Sequence, residues 1–160
     1  MPDPTAAHAA AVAAEAPSRF RVPFRDVDMH GHVHNGVYLS YFESAINELL
    51  RRFDLLKHFE PGSVSHRYHV RKAELVYSKP VGFDALVEVR AALARIGNTS
   101  LTFSARLDRE GDADNAEPSV AATIVWVCVD AGSNRPVPVP EATRAALAVL
   151  SGDGSGGTPT

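Results

Sequence analysis

The chain has 160 residues, 45% of them hydrophobic, which is enough for one domain to bury a core without disulfides or a structural metal. A formal charge of -3 leaves no basic excess to neutralise phosphates, so nucleic-acid binding is not expected. The lone Cys128 fits a reducing compartment, the first basic residue, Arg19, comes too late for the charged start of a signal peptide, and no apolar run nears the roughly 20 residues that span a bilayer, so a cytoplasmic protein without a membrane partner is expected.

Residues 1–17, MPDPTAAHAAAVAAEAP, lack a period and large apolar groups and read as a flexible leader. In RFRVPFR, Phe20, Val22 and Phe24 alternate with Arg21 and Arg25, which predicts a half-buried strand that Pro23 assigns to an edge. The period then changes. Tyr38, Tyr41, Phe42, Ala45, Ile46, Leu49, Leu50 and Phe53 fall at steps of three and four, the mark of a helix with one broad apolar stripe.

Strand patterns follow in a row. SHRYHVRKAELVYSKPV alternates in two halves that are out of phase, Tyr68 and Val70 against Ala73, Leu75 and Tyr77, as a long strand with a bulge would. ALVEVRAAL and SLTFSARL alternate regularly, whereas VAATIVWVCV is apolar on both faces, as a central strand is. The connections KPVGFD, ARIGNT and DREGDADNAEP are rich in turn residues and predict antiparallel hairpins, hence a meander. A short helix is expected from Glu141 to Leu150 behind Pro140, and SGDGSGGTPT, residues 151–160, reads as a flexible tail. One domain, residues 18–150, remains between leader and tail.

The predicted class is α+β: one long central helix wrapped by a curved antiparallel sheet of about five strands, the layout of the hotdog fold. The outer sheet face and an apolar edge are left wanting cover, so a homodimer or homotetramer is expected.

Between the first strand and the long helix lies RDVDMHGHVHNG. The start of a helix leaves backbone N–H groups unpaired and a partial positive charge, which polarise a carbonyl and stabilise an oxyanion. A carboxylate a few residues upstream, on the loop facing that terminus, acts as nucleophile or as base toward water. Asp28 stands in that place, and HVHNG lies at the start of the helix.

From Asp26 to Ala45 the run D-x-D-M-H-G-H-V-H-N-x-x-Y-L-x-Y-F-E-x-A resembles the signature of the 4-hydroxybenzoyl-coenzyme A thioesterase-like branch of the hotdog acyl-CoA thioesterases, and the likeness extends over about residues 19–150. It implies hydrolysis of an acyl thioester at a dimer interface, with Asp28 as the catalytic carboxylate, the Asn35 N–H as the oxyanion donor, Gly31 allowing the tight turn between them, and Tyr41 and Glu43 given a site-shaping role at most. The acyl chain would run beside the long helix. Where many relatives read G-H-V-N-N, this chain has His34, either lining the pocket or filling space. Only Arg95 is basic in ARIGNTS, where relatives that grip coenzyme A phosphates carry a cluster, so an acyl-carrier-protein thioester stands beside acyl-CoA as substrate.

Each reading has a structural rival. Asp28 also suits a turn aspartate bonded to backbone amides. Asp26 and Glu43 fit paired structural acids, His32 a loop-holding hydrogen bond, Tyr38 and Tyr41 core positions before pocket lining, and Cys128 a small core hydrophobe. His30, His32 and His34 converge on a metal only in an extended segment, and the interruption by Gly31 and lack of a fourth ligand leave no metal and no cofactor expected. A hotdog hydratase or dehydratase would place Asn-Pro and a His after the Asp, which DMHGHVH lacks, and a non-catalytic acyl-binding module would need no carboxylate at a helix mouth.

Overall fold

The computed structural model describes residues 15–60, 62, 65–112 and 117–151; most of the expected leader and tail, and residues 113–116 of the last strand connection, lie outside them. Five strands, β1 (Ser18–Arg21), β2 (His66–Tyr77), β3 (Leu86–Ile96), β4 (Ser100–Arg109) and β5 (Val120–Asp130), form one antiparallel sheet, with a long helix α1 (Tyr38–Arg52) and a short one α2 (Glu141–Leu147). Among the described residues no helix is long and apolar enough to cross a membrane.

The helical period is realised residue by residue. Tyr38, Tyr41, Phe42, Ala45, Ile46, Leu49 and Leu50 are buried, while Ser40, Ser44, Asn47, Glu48 and Arg51 face outward. Arg51 and Arg52 in the last turn oppose the negative end of the helix dipole. The helix stops in a Schellman arrangement: Asp54 takes a left-handed φ of 56°, its N–H bonds Arg51 O, and Leu55 N–H bonds Leu50 O at 2.8 Å. Leu55 is thereby buried beside Leu50, sealing the helix end onto the core.

Opposite the helix, Val87, Val89, Ala91, Leu101, Phe103, Ala105, Leu107, Ala122 and Ile124 project from one sheet face into the same core. This is the hotdog layout, a helix enclosed by one sheet. The bulge expected in the long strand lies between Val70 and Lys72, and a second interrupts β3 between Leu93 and Arg95.

The strand order, β1-β3-β4-β5-β2, corrects the expected meander. KPVGFD is not a hairpin turn. From β2 the chain crosses the end of the sheet to β3, and β2 itself pairs with β5, from His66 opposite Asp130 to Tyr77 opposite Val120. Turn-forming residues mark where a chain changes direction but carry no information on which strands pair. The doubly apolar β5 is central because it takes β4 on one side and β2 on the other. The expected last helix also ends sooner, at Leu147, and Ala148–Ser151 tightens into a 3₁₀ turn.

The leader's last residues have partners. Glu15 O accepts from Arg90 Nε at 3.0 Å and Ala16 O from Arg52 at 3.0 Å. On the outer face of the sheet, Arg106 grips Asp108 through two bonds of 2.8 Å, and Glu88 bridges Arg19 and Arg90. Burial pushes the Glu88 carboxyl up, but the two guanidiniums outweigh it and hold the group below the usual carboxylate range. A carboxyl depressed on folding adds stability above its unfolded pKa, about 4.3, and that stability is lost as pH falls through the lower folded value. The advantage of wild type over Glu88→Gln in thermal melts is therefore expected to shrink as pH falls below about 4. A difference that stays constant with pH would show that ionisation of Glu88 contributes nothing.

Candidate active site

Downstream of β1, Val22 is anchored to the sheet by its N–H to Ala85 O at 2.9 Å. A 3₁₀ turn at Phe24–Asp26 then delivers the chain to a small loop closed by a bridge between Val27 and Val33. Within it, Asp28 N–H bonds His32 O at 2.9 Å and Gly31 N–H bonds Asp28 O at 3.0 Å. Gly31 sits at φ 80°, the left-handed conformation that closes so tight a turn. The loop is held to the rest of the protein by Val33 N–H to Val81 O at 2.8 Å and by a bridge from His32 to Gly82. The crossing connection that replaces the expected hairpin is thus what supports the loop.

Asp28 combines both readings of its sequence. One carboxylate oxygen, Oδ1, accepts the His30 N–H at 2.9 Å, a turn-type bond that fixes the side chain. Among the described residues Oδ2 has no partner. The carboxylate is therefore oriented by one oxygen and left open at the other.

The helix begins later than the sequence implied, at Tyr38, because Asn35, Gly36 and Val37 form a turn that winds into it. Val37 N–H bonds His34 O at 2.9 Å, and Gly36 N–H bonds His34 Nδ1 at 3.1 Å. The Asn35 N–H has no acceptor among the described residues, while the Asn35 carbonyl accepts the Tyr77 hydroxyl at 2.9 Å. A free N–H at the positive end of α1 is a donor for developing negative charge.

Asp28, His32, His34, Asn35, Tyr38 and Tyr77 line one open cavity of about 610 Å³. Tyr77, with Ser78, Lys79 and Pro80 beside it, was not singled out from sequence. Tyr77 ends β2 and Ser78–Pro80 follow it, and nothing local signals that this strand's end meets a loop 42 residues earlier.

Other candidates lie elsewhere. Tyr41 is buried beneath the loop, donating its hydroxyl to Asp26; burial first and that bond second push its phenol far above the ordinary range. Asp26 is thereby a strut, its backbone carbonyl also accepting the His34 N–H at 2.9 Å. Glu43 borders a different cavity, about 730 Å³, between α1 and the start of β2, with Phe59, Tyr68 and Trp126. Arg95 is exposed on β3 at the bulge and borders neither cavity. Cys128 is buried, and burial raises its thiol. Among the described residues no three His, Cys, Asp or Glu side chains are grouped to hold a metal ion.

The family model described as the thioesterase-like superfamily matches residues 22–147. The chain is 29% identical over 126 residues to acyl-CoA thioester hydrolase YbgC of Escherichia coli O157:H7, covering 76% of this chain and 87% of that protein. It is 28% identical over 127 residues to acyl-CoA thioesterase YbgC of Haemophilus influenzae, covering 79% and 90%. Among solved structures, a hypothetical protein of Thermus thermophilus superposes with a TM-score of 0.73 at 29% identity over 85% of this chain and 99% of the other. A 1,4-dihydroxy-2-naphthoyl-CoA thioesterase from Synechocystis gives 0.72 at 16% identity over 85% and 97%, a likeness of fold. With the match spanning strands β2 to β5 and both helices, the chain belongs to the thioesterase-like superfamily.

Proposed function

We propose that the protein is an acyl-CoA thioester hydrolase in which Asp28 is the catalytic carboxylate and the Asn35 N–H is the oxyanion donor. The observation that carries this is the pairing, in one cavity, of an oriented carboxylate with a free oxygen and a free backbone N–H at a helix mouth. The names of the YbgC relatives support the substrate class. Asp28 Oδ2 either attacks the thioester carbon, releasing the thiolate and leaving a mixed anhydride that water cleaves, or takes a proton from the attacking water. In both routes the carbonyl oxygen gains charge facing the Asn35 N–H, and the products are acid and thiol. His32 and Tyr38 line this cavity beside Asp28.

The assay is thiol release from aliphatic and aromatic acyl-CoA thioesters, with acyl-carrier-protein thioesters alongside. Turnover of the coenzyme A forms supports the proposal; turnover of carrier thioesters only would reassign the substrate, and binding without turnover would make this an acyl-binding module.

The functional unit we infer is a homodimer. β2 is an edge strand whose stretch from His69 to Glu74 is exposed on both faces, and Val70 and Tyr77 remain 45% and 50% exposed. An open edge of this length, with its ladder N–H and C=O groups unpaired, is a template for a second strand. Antiparallel pairing of two β2 edges about a twofold axis lays the Tyr77 end of one beside the His66 end of the other. Tyr77 borders the Asp28 cavity and His66 the other, so this pairing brings the two different cavities of the two subunits toward each other. Val70→Asp, a change at an exposed position, is expected to convert a dimer to a monomer in light scattering and to lower hydrolysis with it. A monomeric wild type would refute the arrangement.

A further inference from the structure

His34 stands where the chain turns from the catalytic loop into α1, and its backbone is pinned on both sides, by its N–H to Asp26 O and by Val37 N–H to its own carbonyl, each at 2.9 Å. The imidazole folds forward over the next two residues. Its Nδ1 accepts the Gly36 N–H at 3.1 Å, the same two-residue reach by which an Asn or Asp side chain holds a turn. The fit is close: a Cβ on Gly36 would lie 3.3 Å from Nδ1 and 3.4 Å from Cε1. Gly36 is thus occupied by the ring, and Asn35, between the two bonded residues, keeps its N–H free in the cavity.

An imidazole accepts at Nδ1 only when neutral, with its proton on Nε2. Protonation puts an N–H at both ring nitrogens, so Nδ1 then faces the Gly36 N–H donor to donor and the turn loses its clasp. An asparagine amide oxygen at the same place would hold the turn without titrating. The other ionisable groups around this cavity are Asp28, His30 and His32 on the loop, Tyr38 on α1, and Tyr77 and Lys79 at the end of β2.

We infer that His34 is a positioning residue: its neutral ring holds the turn that presents the Asn35 N–H, so that acid switches the site off by unclasping Gly36. The inference rests on the hydrolase reading above and goes beyond it in assigning an acid-sensitive part that acts through the Asn35 turn.

The test joins two measurements on wild type and His34→Asn. In long-range ¹⁵N–¹H spectra, wild type is expected to show Nδ1 unprotonated near neutral pH, and the Gly36 amide shift to move with the ring as it takes up a proton. The ratio of kcat/KM at about pH 8 to that at about pH 5.5, across the range where imidazoles titrate, is expected to fall several-fold in His34→Asn whatever its absolute rate. His34→Ala, with no acceptor, is expected to lower kcat about tenfold at about pH 8, the scale of one lost hydrogen bond, and to approach wild type at about pH 5.5, where the wild-type clasp is itself released. Nδ1 protonated at neutral pH, a Gly36 amide blind to the ring, or an acid fall-off identical in His34→Asn would each overturn the inference. Absence of turnover on every thioester would instead refute the hydrolase reading and the catalytic consequence with it, while the spectra would still decide whether the ring holds the turn.

Discussion

Asp28→Asn is expected to lower kcat on acyl-CoA thioesters by a factor of about 100 to 10,000, the range lost with a positioned acid/base group, with KM changed far less. The variant is chosen because it removes charge and basicity while keeping shape. The amide oxygen still accepts the His30 N–H, so the Val27–Val33 loop keeps the bond that orients residue 28. What is lost is the free Oδ2: an amide nitrogen there neither attacks a thioester nor takes a proton from water. The melting temperature and oligomeric mass are expected to stay near those of wild type, because the affected oxygen has no partner among the described residues. Full activity in the variant would remove Asp28 from the chemistry and return it to the turn-forming role that its Oδ1 already performs. Water labelled with ¹⁸O, in a single turnover with enzyme in excess, then tests the covalent route: label entering Asp28 marks a mixed anhydride cleaved at its aspartyl carbon, whereas label only in the acid is the outcome both of direct attack by water and of cleavage at the acyl carbon.

Phe42→Ala is expected to cost about 3–5 kcal/mol, the range for removing a large aromatic from a core, and to lower the melting temperature by roughly 10–20 °C. Phe42 has no exposed surface and lies midway along the apolar stripe of α1, against the concave face of the sheet. The ring's space cannot be refilled by collapse, because α1 is held at its start by the Tyr41–Asp26 bond and at its end by the Schellman turn at Asp54. Ser44→Ala, on the outward face of the same helix, is expected to stay within about 0.5 kcal/mol of wild type. Denaturant titration of both variants checks the contrast. A cost below about 1 kcal/mol for Phe42→Ala would mean that the helix does not depend on this packing.

Local pattern carried far in this chain. The steps of three and four from Tyr38 onward became α1, because a helix surface turns once in about 3.6 residues and one stripe must be buried. The phase break between Val70 and Ala73 became the β2 bulge, since an inserted residue is what flips the inward-facing set of a strand. The Asp28–Gly31 turn was legible for a similar reason: a glycine at positive φ and an aspartate that bonds backbone amides act within four residues. In all three cases the physics is confined to a few neighbouring residues, and so is the signal.

Strand pairing is a different kind of fact. Placing β2 beside β5 rather than β3 depends on which edge of the finished sheet remains open when the helix is covered, and KPVGFD holds no trace of that choice. The same choice brings Tyr77 to Asn35, leaves Glu43 at a second cavity and carries Arg95 away from both. The start of α1 likewise moved from Asn35 to Tyr38 because the bonds to His34 hold Asn35–Val37 as a turn. The residues for a carboxylate beside a helix mouth were thus written locally, whereas the company they keep was settled by long-range packing, whose energy belongs to contacts between residues far apart in the chain.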